Sequence, residues 1–435
     1  MSASDEFFAQ RRAAAAFKHG ILERYPVVFA GKAGSITSGR VVFLDGYAGP
    51  GRYEDGSPGS PLLFVQAAQY LGELRKVTGI FVEQHPDRCA RLREVLTEVG
   101  ATGVNYRTVE GDLGAHLPGL LPSASGAALF AFLDPFGTAL NRGQLRSQLL
   151  GRSGRAPTEV LLHVSVSTVA RIGGLLRAAE RDQRALEERD RKTIANLDRF
   201  LGGTWWQESF RAVAGEDLIT ATEVALDVAQ RYCATLTAET GFQSISMPVR
   251  TAAEQQPKYV LVLFTRHPAG VWEFASAVGM AGRNWQQALH DAERARADAA
   301  QDRLGMDTLF DLVPEPFDPD VYERDRRPVW TRGLAENIQY LLAEHGDFRL
   351  FERTVQVYGT LLGRAWERHV RQAVKDLHRD GLIANDGKYD FELRPLGPVT
   401  LPVQRPAPGP VSASDPTPGR PVDGRRPSGS DHPTA

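Results

Sequence analysis

Cysteine is almost missing from this chain: Cys89 and Cys233 are the only two in 435 residues. They stand far apart and outside any Cys-x-x-Cys pattern, which excludes a disulfide framework and a cysteine-held zinc site. No metal is expected. Net charge is nearly missing too. Lys and Arg number 51 against 53 Asp and Glu, a formal charge of −2. No global field therefore draws in nucleic acid or an anionic membrane, although a local basic face stays open. No apolar run approaches the ~20 residues that span a bilayer. The opening "MSASDEFFAQRRAAAAFKHG" lacks the apolar core and small-residue cleavage site of a secretory leader. The expectation is a cytoplasmic protein without membrane contact. Apolar residues at 42% and charged residues at 24% suit a globular chain of two or three domains.

What the sequence does contain is an alternation. Asp5–Tyr25 reads as a helix, with Phe7, Phe8, Ala14, Phe17, Ile21 and Leu22 at near-helical spacing. Strands are expected over Arg40–Gly46, Val77–Glu83, Asn105–Asp112, Ala127–Gly137 and Glu159–Val166. Helices fall between them, over Ser60 to about Arg75, His85–Gly100 and near Arg142–Leu150. Strands alternating with helices predict an α/β fold with a parallel sheet covered on both faces. A helical insert spans 171–214. "SISMPVR" (Ser244–Arg250) and "KYVLVLFTRH" (Lys258–His267) have no helix between them, so they must pair antiparallel. This first unit covers 1–290 and a linker covers 291–330. Three helices and a hairpin turning at Asp386-Gly387 over 331–396 outline a winged helix. The Pro-rich stretch 397–435 is expected to be disordered.

The stretch "VVFLDGYAGPGRYEDGSPGSPLL" (Val41–Leu63) carries the chemistry. Asp45 closes a strand, and Gly46, Gly49 and Gly51 then allow a tight turn and close approach of backbone to a ligand. Glu83 ends the second strand, where an acid can accept from both ribose hydroxyls. Asp112 ends the third, where it can meet an adenine amine. Asp134-Pro135-Phe136-Gly137 ends the fourth. Open parallel sheets bind ligands at these carboxyl ends. Asp45 and Glu83 lie farther apart than the ~20 residues of a dinucleotide fingerprint. The pattern D-x-Y-A-G-x-G, through Tyr47 and Ala48, also differs from G-x-G-x-x-G.

That loop resembles the S-adenosylmethionine loop "LDxFAGxG" of class I methyltransferases. The resemblance implies a Rossmann-like sheet of seven strands whose last pair is antiparallel, with Asp45–Gly51, Glu83 and Asp112 holding the cofactor. "DPFG" resembles the "(D/N)PP(Y/F)" motif of amino-group methyltransferases, in which an acid oxygen and a proline carbonyl accept from the target amine and an aromatic ring stacks on its base. This implies catalytic roles for Asp134, Pro135 and Phe136. In this chain Phe136 takes the place of the second proline, and Gly137 that of the aromatic. "KHGILERYP", "FLDGYAGPGRYEDGSPGSPLL", "FVE", "FLDPFG", "TEVLLHVS" and "YVLVLFTRH", in that order, resemble the three-Cys-motif partner protein family over about Phe17 to Val278. That family is bacterial, and its name implies a partner similar to radical S-adenosylmethionine proteins. The "KH" before "D..AG.GRY" also resembles the enzyme that methylates an adenine amine of large-subunit ribosomal RNA.

Each site residue has a plainer alternative. The loop could be an ordinary turn, Glu83 or Asp112 a cap or turn residue, and Phe136 a core side chain. Lys18 and His19, on one helix face, and Arg52 and Tyr53, flanking the loop, are substrate or cofactor contacts or else solvated groups. Arg364, Arg368, Arg371, Lys375 and Arg379 form either a recognition helix meeting phosphates or a solvated face. Two functions follow. One is an S-adenosylmethionine-dependent methyltransferase acting on an amine, preferably a nucleobase of RNA or DNA. The other is a catalytically inactive adaptor for a three-Cys-motif partner or nucleic acid.

Overall fold

The apolar runs become strands β1 (Arg40–Asp45), β2 (Lys76–Glu83), β3 (Asn105–Glu110), β4 (Ala128–Leu133), β5 (Thr158–Val164), β6 (Gln243–Val249) and β7 (Tyr259–Thr265). The computed structural model describes residues 14–100, 103–135, 140–152, 156–213, 221–250, 256–304 and 315–397. All seven strands join one sheet in the order β3-β2-β1-β4-β5-β7-β6. The first five are parallel. β7 runs antiparallel to both β5 and β6. This is the Rossmann-like sheet of seven strands with an antiparallel last pair that the resemblance implied. Every residue of β4 is buried, as a central strand covered on both faces requires.

Helices α1 (14–22), α2 (Tyr25–Ile36), α3 (Ser60–Leu71) and α4 (Pro86–Glu98) pack on one face, around Phe43, Phe81, Phe130 and Phe132. Helix α5 (Leu113–Leu120) covers the other face. It shares a core built on Leu44, Val82, Leu133 and Leu162 with α7 (Val166–Arg181), α8 (Glu188–Leu201), α9 (Trp205–Ala212) and α10 (Ala221–Thr240). A short α6 (Arg142–Gln144) continues into a π-helical turn, Leu145–Leu150. The expected helix Asp5–Tyr25 lies outside the described residues before Ala14, and its end at Tyr25 is not a stop, because α2 follows at once. Pro26 stands in the first turn of α2, where its missing N–H has no intrahelical partner to lose, so it starts a helix instead of stopping one. Strand β5 stops short of Val166 because Ser165 caps α7, its Oγ accepting from Thr168 N at 3.2 Å.

After β7 the chain forms α11 (Pro268–Leu304), α12 (Pro319–His345), α13 (Thr354–Tyr358) and α14 (Glu367–Arg379). The first two enter the expected linker from either side. The hydrophobic core of the α1–α4 face continues into them through Trp272, Trp330, Tyr358 and Trp366. The hairpin expected at Asp386-Gly387 does not form: residues 382–394 make turns. Asn385 Nδ2 donates to Phe391 O at 2.8 Å, and Asn385 Oδ1 accepts from Gly387 N at 3.1 Å. Arg394 reaches Asp386 Oδ1 at 2.6 Å. Side-chain hydrogen bonds thus take the backbone groups that a strand ladder would need. The stretch expected to be disordered, from residue 398 on, lies outside the described residues.

Candidate active site

In the order β3-β2-β1-β4, the chain reverses direction across the sheet between β1 and β4, the place where open sheets bind ligands. Asp45 ends β1 there and is wholly buried. Its Oδ1 accepts from Tyr47 N at 3.1 Å; Oδ2 makes no aligned hydrogen bond among the described residues, although the Ser60 hydroxyl lies near enough to pull on the carboxyl. Burial pushes this carboxyl up to about 7, against smaller pulls from the Ser60 hydroxyl and the Tyr47 amide.

The loop after Asp45 is tied at each step. Gly46 N donates to Phe132 O at 3.0 Å, and Ala48 N to Val82 O at 2.9 Å. Gly49 N donates to Glu83 Oε2 at 2.9 Å. Gly49 has φ +66, which suits glycine, and a methyl group built on it would meet nothing within 4 Å. Gly51 O accepts from Gly59 N at 2.8 Å, closing the inserted residues into a pinched side loop. Within that side loop Arg52 Nη1 bonds Gly56 O at 3.0 Å. The glycines thus hold a rigid turn with one open side.

Glu83 ends β2, and its second oxygen, Oε1, accepts from His85 N at 2.9 Å. It therefore fixes both the glycine loop and the start of α4. Asp112 caps α5, Oδ1 accepting from Ala115 N at 3.0 Å, and its charge bears on Tyr47, whose hydroxyl is raised chiefly by burial.

The other half of the site assembles around Asp134. Strands β4 and β5 pair Leu133 with Leu162, so Asp134 and His163 stand side by side one residue further on. His163 Nδ1 lies against Asp134 Oδ1, close but without the alignment of a formed hydrogen bond. Lys18 Nζ, from α1, donates to Asp134 Oδ2 at 2.5 Å. Burial pushes the Asp134 carboxyl up, but Lys18 and His163 together pull it well below the usual carboxylate range. Burial likewise lowers the Lys18 ammonium, and the Asp134 charge more than reverses this, so Lys18 stays protonated. The His163 ring stands edge-on to Tyr259, with centroids 4.3 Å apart. Tyr259 Oη donates to Ala14 O at 2.8 Å. His19 Nε2 lies 3.2 Å from Tyr53 Oη. Burial first, and then Lys18, push the His19 imidazole down to about 4.

The structure thus gathers Lys18, His19, Tyr53 and Asp134 into one cluster. Asp45, Gly46, Tyr47, Ala48, Gly49, Gly51 and Glu83 form the loop beside it. Arg52 turns back into its own side loop. Pro135 is buried; Phe136 and Gly137 lie outside the described residues. Sequence reasoning passed over His163 and Tyr259. The available signal was a lone titratable residue near the end of the apolar run "EVLLHV", beside the Asp-Pro strand end.

No family model matches the chain, and no curated protein matches it. Similar solved structures include a geranyl diphosphate methyltransferase in complex with GPP and sinefungin. It is 13% identical over 54% of this chain and 77% of that one, with a TM-score of 0.22. Another is PKMT2 from Rickettsia typhi, 10% identical over 79% of this chain and 75% of that one, with a TM-score of 0.29. The geometry of the site itself carries the functional reading.

Proposed function

We propose that this protein is an S-adenosylmethionine-dependent methyltransferase acting on an amine, preferably a nucleobase nitrogen of RNA or DNA. The observation that carries the reading is the buried Asp45 Oδ2, which makes no aligned hydrogen bond among the described residues, at the root of a loop whose Gly49 has no described atom within 4 Å of an added methyl group. A buried carboxylate oxygen without a partner is costly, and a cationic or hydrogen-donating ligand relieves that cost. Asp45, Gly46, Tyr47, Ala48, Gly49 and Gly51 would hold the cofactor, with Glu83 and Asp112 at the ends of the two neighbouring strands. Bound there, the cofactor supplies an electrophilic methyl group on a sulfonium.

The chain's own contribution is positioning and charge. Glu83 fixes the loop through Gly49 N, so the ligand meets preorganised backbone. Asp134 and Pro135 would flank the acceptor amine, with the permanently ionised Asp134 stabilising positive charge as it develops on nitrogen. Lys18 and His163 keep Asp134 in place, while Tyr53 and His19 line the approach. Calorimetric titration with S-adenosylmethionine tests the reading. Micromolar binding that weakens in Asp45→Ala supports it, and no binding by the folded protein at millimolar ligand refutes it.

The resemblance to the three-Cys-motif partner family supports a second reading, an inactive adaptor for such a partner. The favouring observation is that both oxygens of Asp134 already have close neighbours, Lys18 on one and the His163 ring on the other. Turnover with any amine acceptor would dismiss it. For either reading, α14 offers few free cations as a phosphate reader. Arg368 pairs with Glu323, Arg371 with Glu367 and Arg379 with Asp376.

A further inference from the structure

We infer that His163 is the proton acceptor of the transfer, held in one tautomer by Asp134, and that the acceptor substrate is therefore a neutral N–H group. The inference rests on the methyl-transfer reading above and deepens it. Asp134 carries a charge that Lys18 stabilises. Nδ1 of His163 lies against Asp134 Oδ1 without an aligned hydrogen bond, and the field of that carboxylate favours a proton on Nδ1, which leaves the lone pair on Nε2. Nε2 is buried and has no hydrogen-bond partner among the described residues. What it lacks is a donor, and an amine N–H supplies one.

The other groups of the cluster cannot take the proton. Lys18, reaching from α1, is protonated and has no lone pair. Asp134, at the end of β4, is too weak a base. Tyr259, from β7, already donates to Ala14 O. His19 is turned to Tyr53. Asp45 titrates near neutrality but sits on β1, with β4 between it and β5.

In the proposed step the N–CH3 bond forms as the S–CH3 bond breaks, and the bonding pair stays on sulfur. The nitrogen becomes cationic, and one of its protons passes to Nε2 of His163. This leaves a neutral methylated amine and an imidazolium beside the Asp134 carboxylate, and the imidazolium then releases its proton to solvent. Asp134 is in this account a positioning residue, and His163 the catalytic one.

The test uses the full chain and two probes, S-adenosylhomocysteine and sinefungin. Sinefungin bears an amine where the transferred methyl group would stand. The imidazole signals of His163 are followed by NMR across pH, and both affinities are measured by calorimetry. Sinefungin, but not S-adenosylhomocysteine, is expected to move the imidazole signals of His163, since a second cation opposes protonation of the ring. The ratio of sinefungin to S-adenosylhomocysteine affinity should rise about tenfold as the ring loses its proton and stay flat in His163→Asn. Binding of both probes with no response at His163 and a flat ratio in the parent protein overturns the inference. Binding of neither overturns the methyl-transfer reading and the inference with it. Should His163→Asn fail to fold, the NMR titration of the parent protein decides alone.

Discussion

Lys18 Nζ meets Asp134 Oδ2 at 2.5 Å across 116 residues of sequence. The contact joins an N-terminal helix to the carboxyl end of a central strand and closes the site on one side. Removing the cation leaves a buried carboxylate with the His163 ring as its remaining polar neighbour. Lys18→Met should therefore cost about 3–5 kcal/mol of stability, as breaking one side of a buried pair does. Lys18→Met combined with Asp134→Asn should recover part of that loss. Urea unfolding of both single variants and the double variant measures it, and additive losses would show that the residues do not interact.

Asp45 should oppose stability and serve binding. Its folded pKa, about 7, lies above the ordinary carboxylate value. Its contribution is therefore most favourable at acid pH and is lost as pH rises through 7. Asp45→Asn is expected to stabilise the protein at pH 8 by roughly 1–4 kcal/mol, one pKa unit being worth about 1.4 kcal/mol. It should also weaken S-adenosylmethionine binding. Melting curves at pH 5 and pH 8 check the sign: the gain must shrink at the lower pH.

Gly49→Ala separates fold from ligand space. No atom of the described residues obstructs the new methyl group, so the cost is that of a left-handed φ, about 1–2 kcal/mol. Ligand affinity should fall by more than tenfold, a loss above about 1.4 kcal/mol, because the methyl group occupies the open side of the loop. Unchanged affinity would place the cofactor elsewhere.

Gly279 of α11 passes so close to the chain before α14 that a Cβ would stand 2.0 Å from Ala365 O. Gly279→Ala should cost about 1–3 kcal/mol through forced displacement. Gly31 of α2 has nothing within 4 Å, so Gly31→Ala should stabilise by about 0.5–1 kcal/mol. Chemical denaturation of the pair tests whether backbone contact joins the C-terminal helices to α11.

Glu323, buried on α12, faces Arg368, Arg327 at 3.2 Å and His369 Nε2 at 3.1 Å. The His369 imidazole is pushed down to about 3, first by burial and then by the surrounding arginines. Glu323→Ala should destabilise by about 3–5 kcal/mol. A loss below 1 kcal/mol in thermal or urea unfolding would show that the arginines find water instead.

The sequence by itself determined the sheet and the glycine loop that is proposed to hold the cofactor. Apolar runs of strand length alternating with helical periodicity leave few topologies, and Asp45, Glu83, Asp112 and Asp134 are placed by standing at or just after the carboxyl ends of successive strands. These are local signals, read over tens of residues. Helices α2 and α10 and the turns over 382–394 were not legible, because a proline starts as readily as it stops a helix and because Asn385 draws local backbone into its own hydrogen bonds. Only the tertiary structure decided the reactive half of the site. Lys18 is an ordinary helical lysine until α1 lies beside Asp134. His163 is one polar residue in a strand until the β4–β5 register sets it against the same carboxylate. Such charges are defined by their neighbours across space, since burial and pairing, not residue type, fix which groups are ionised and which lone pair stays free.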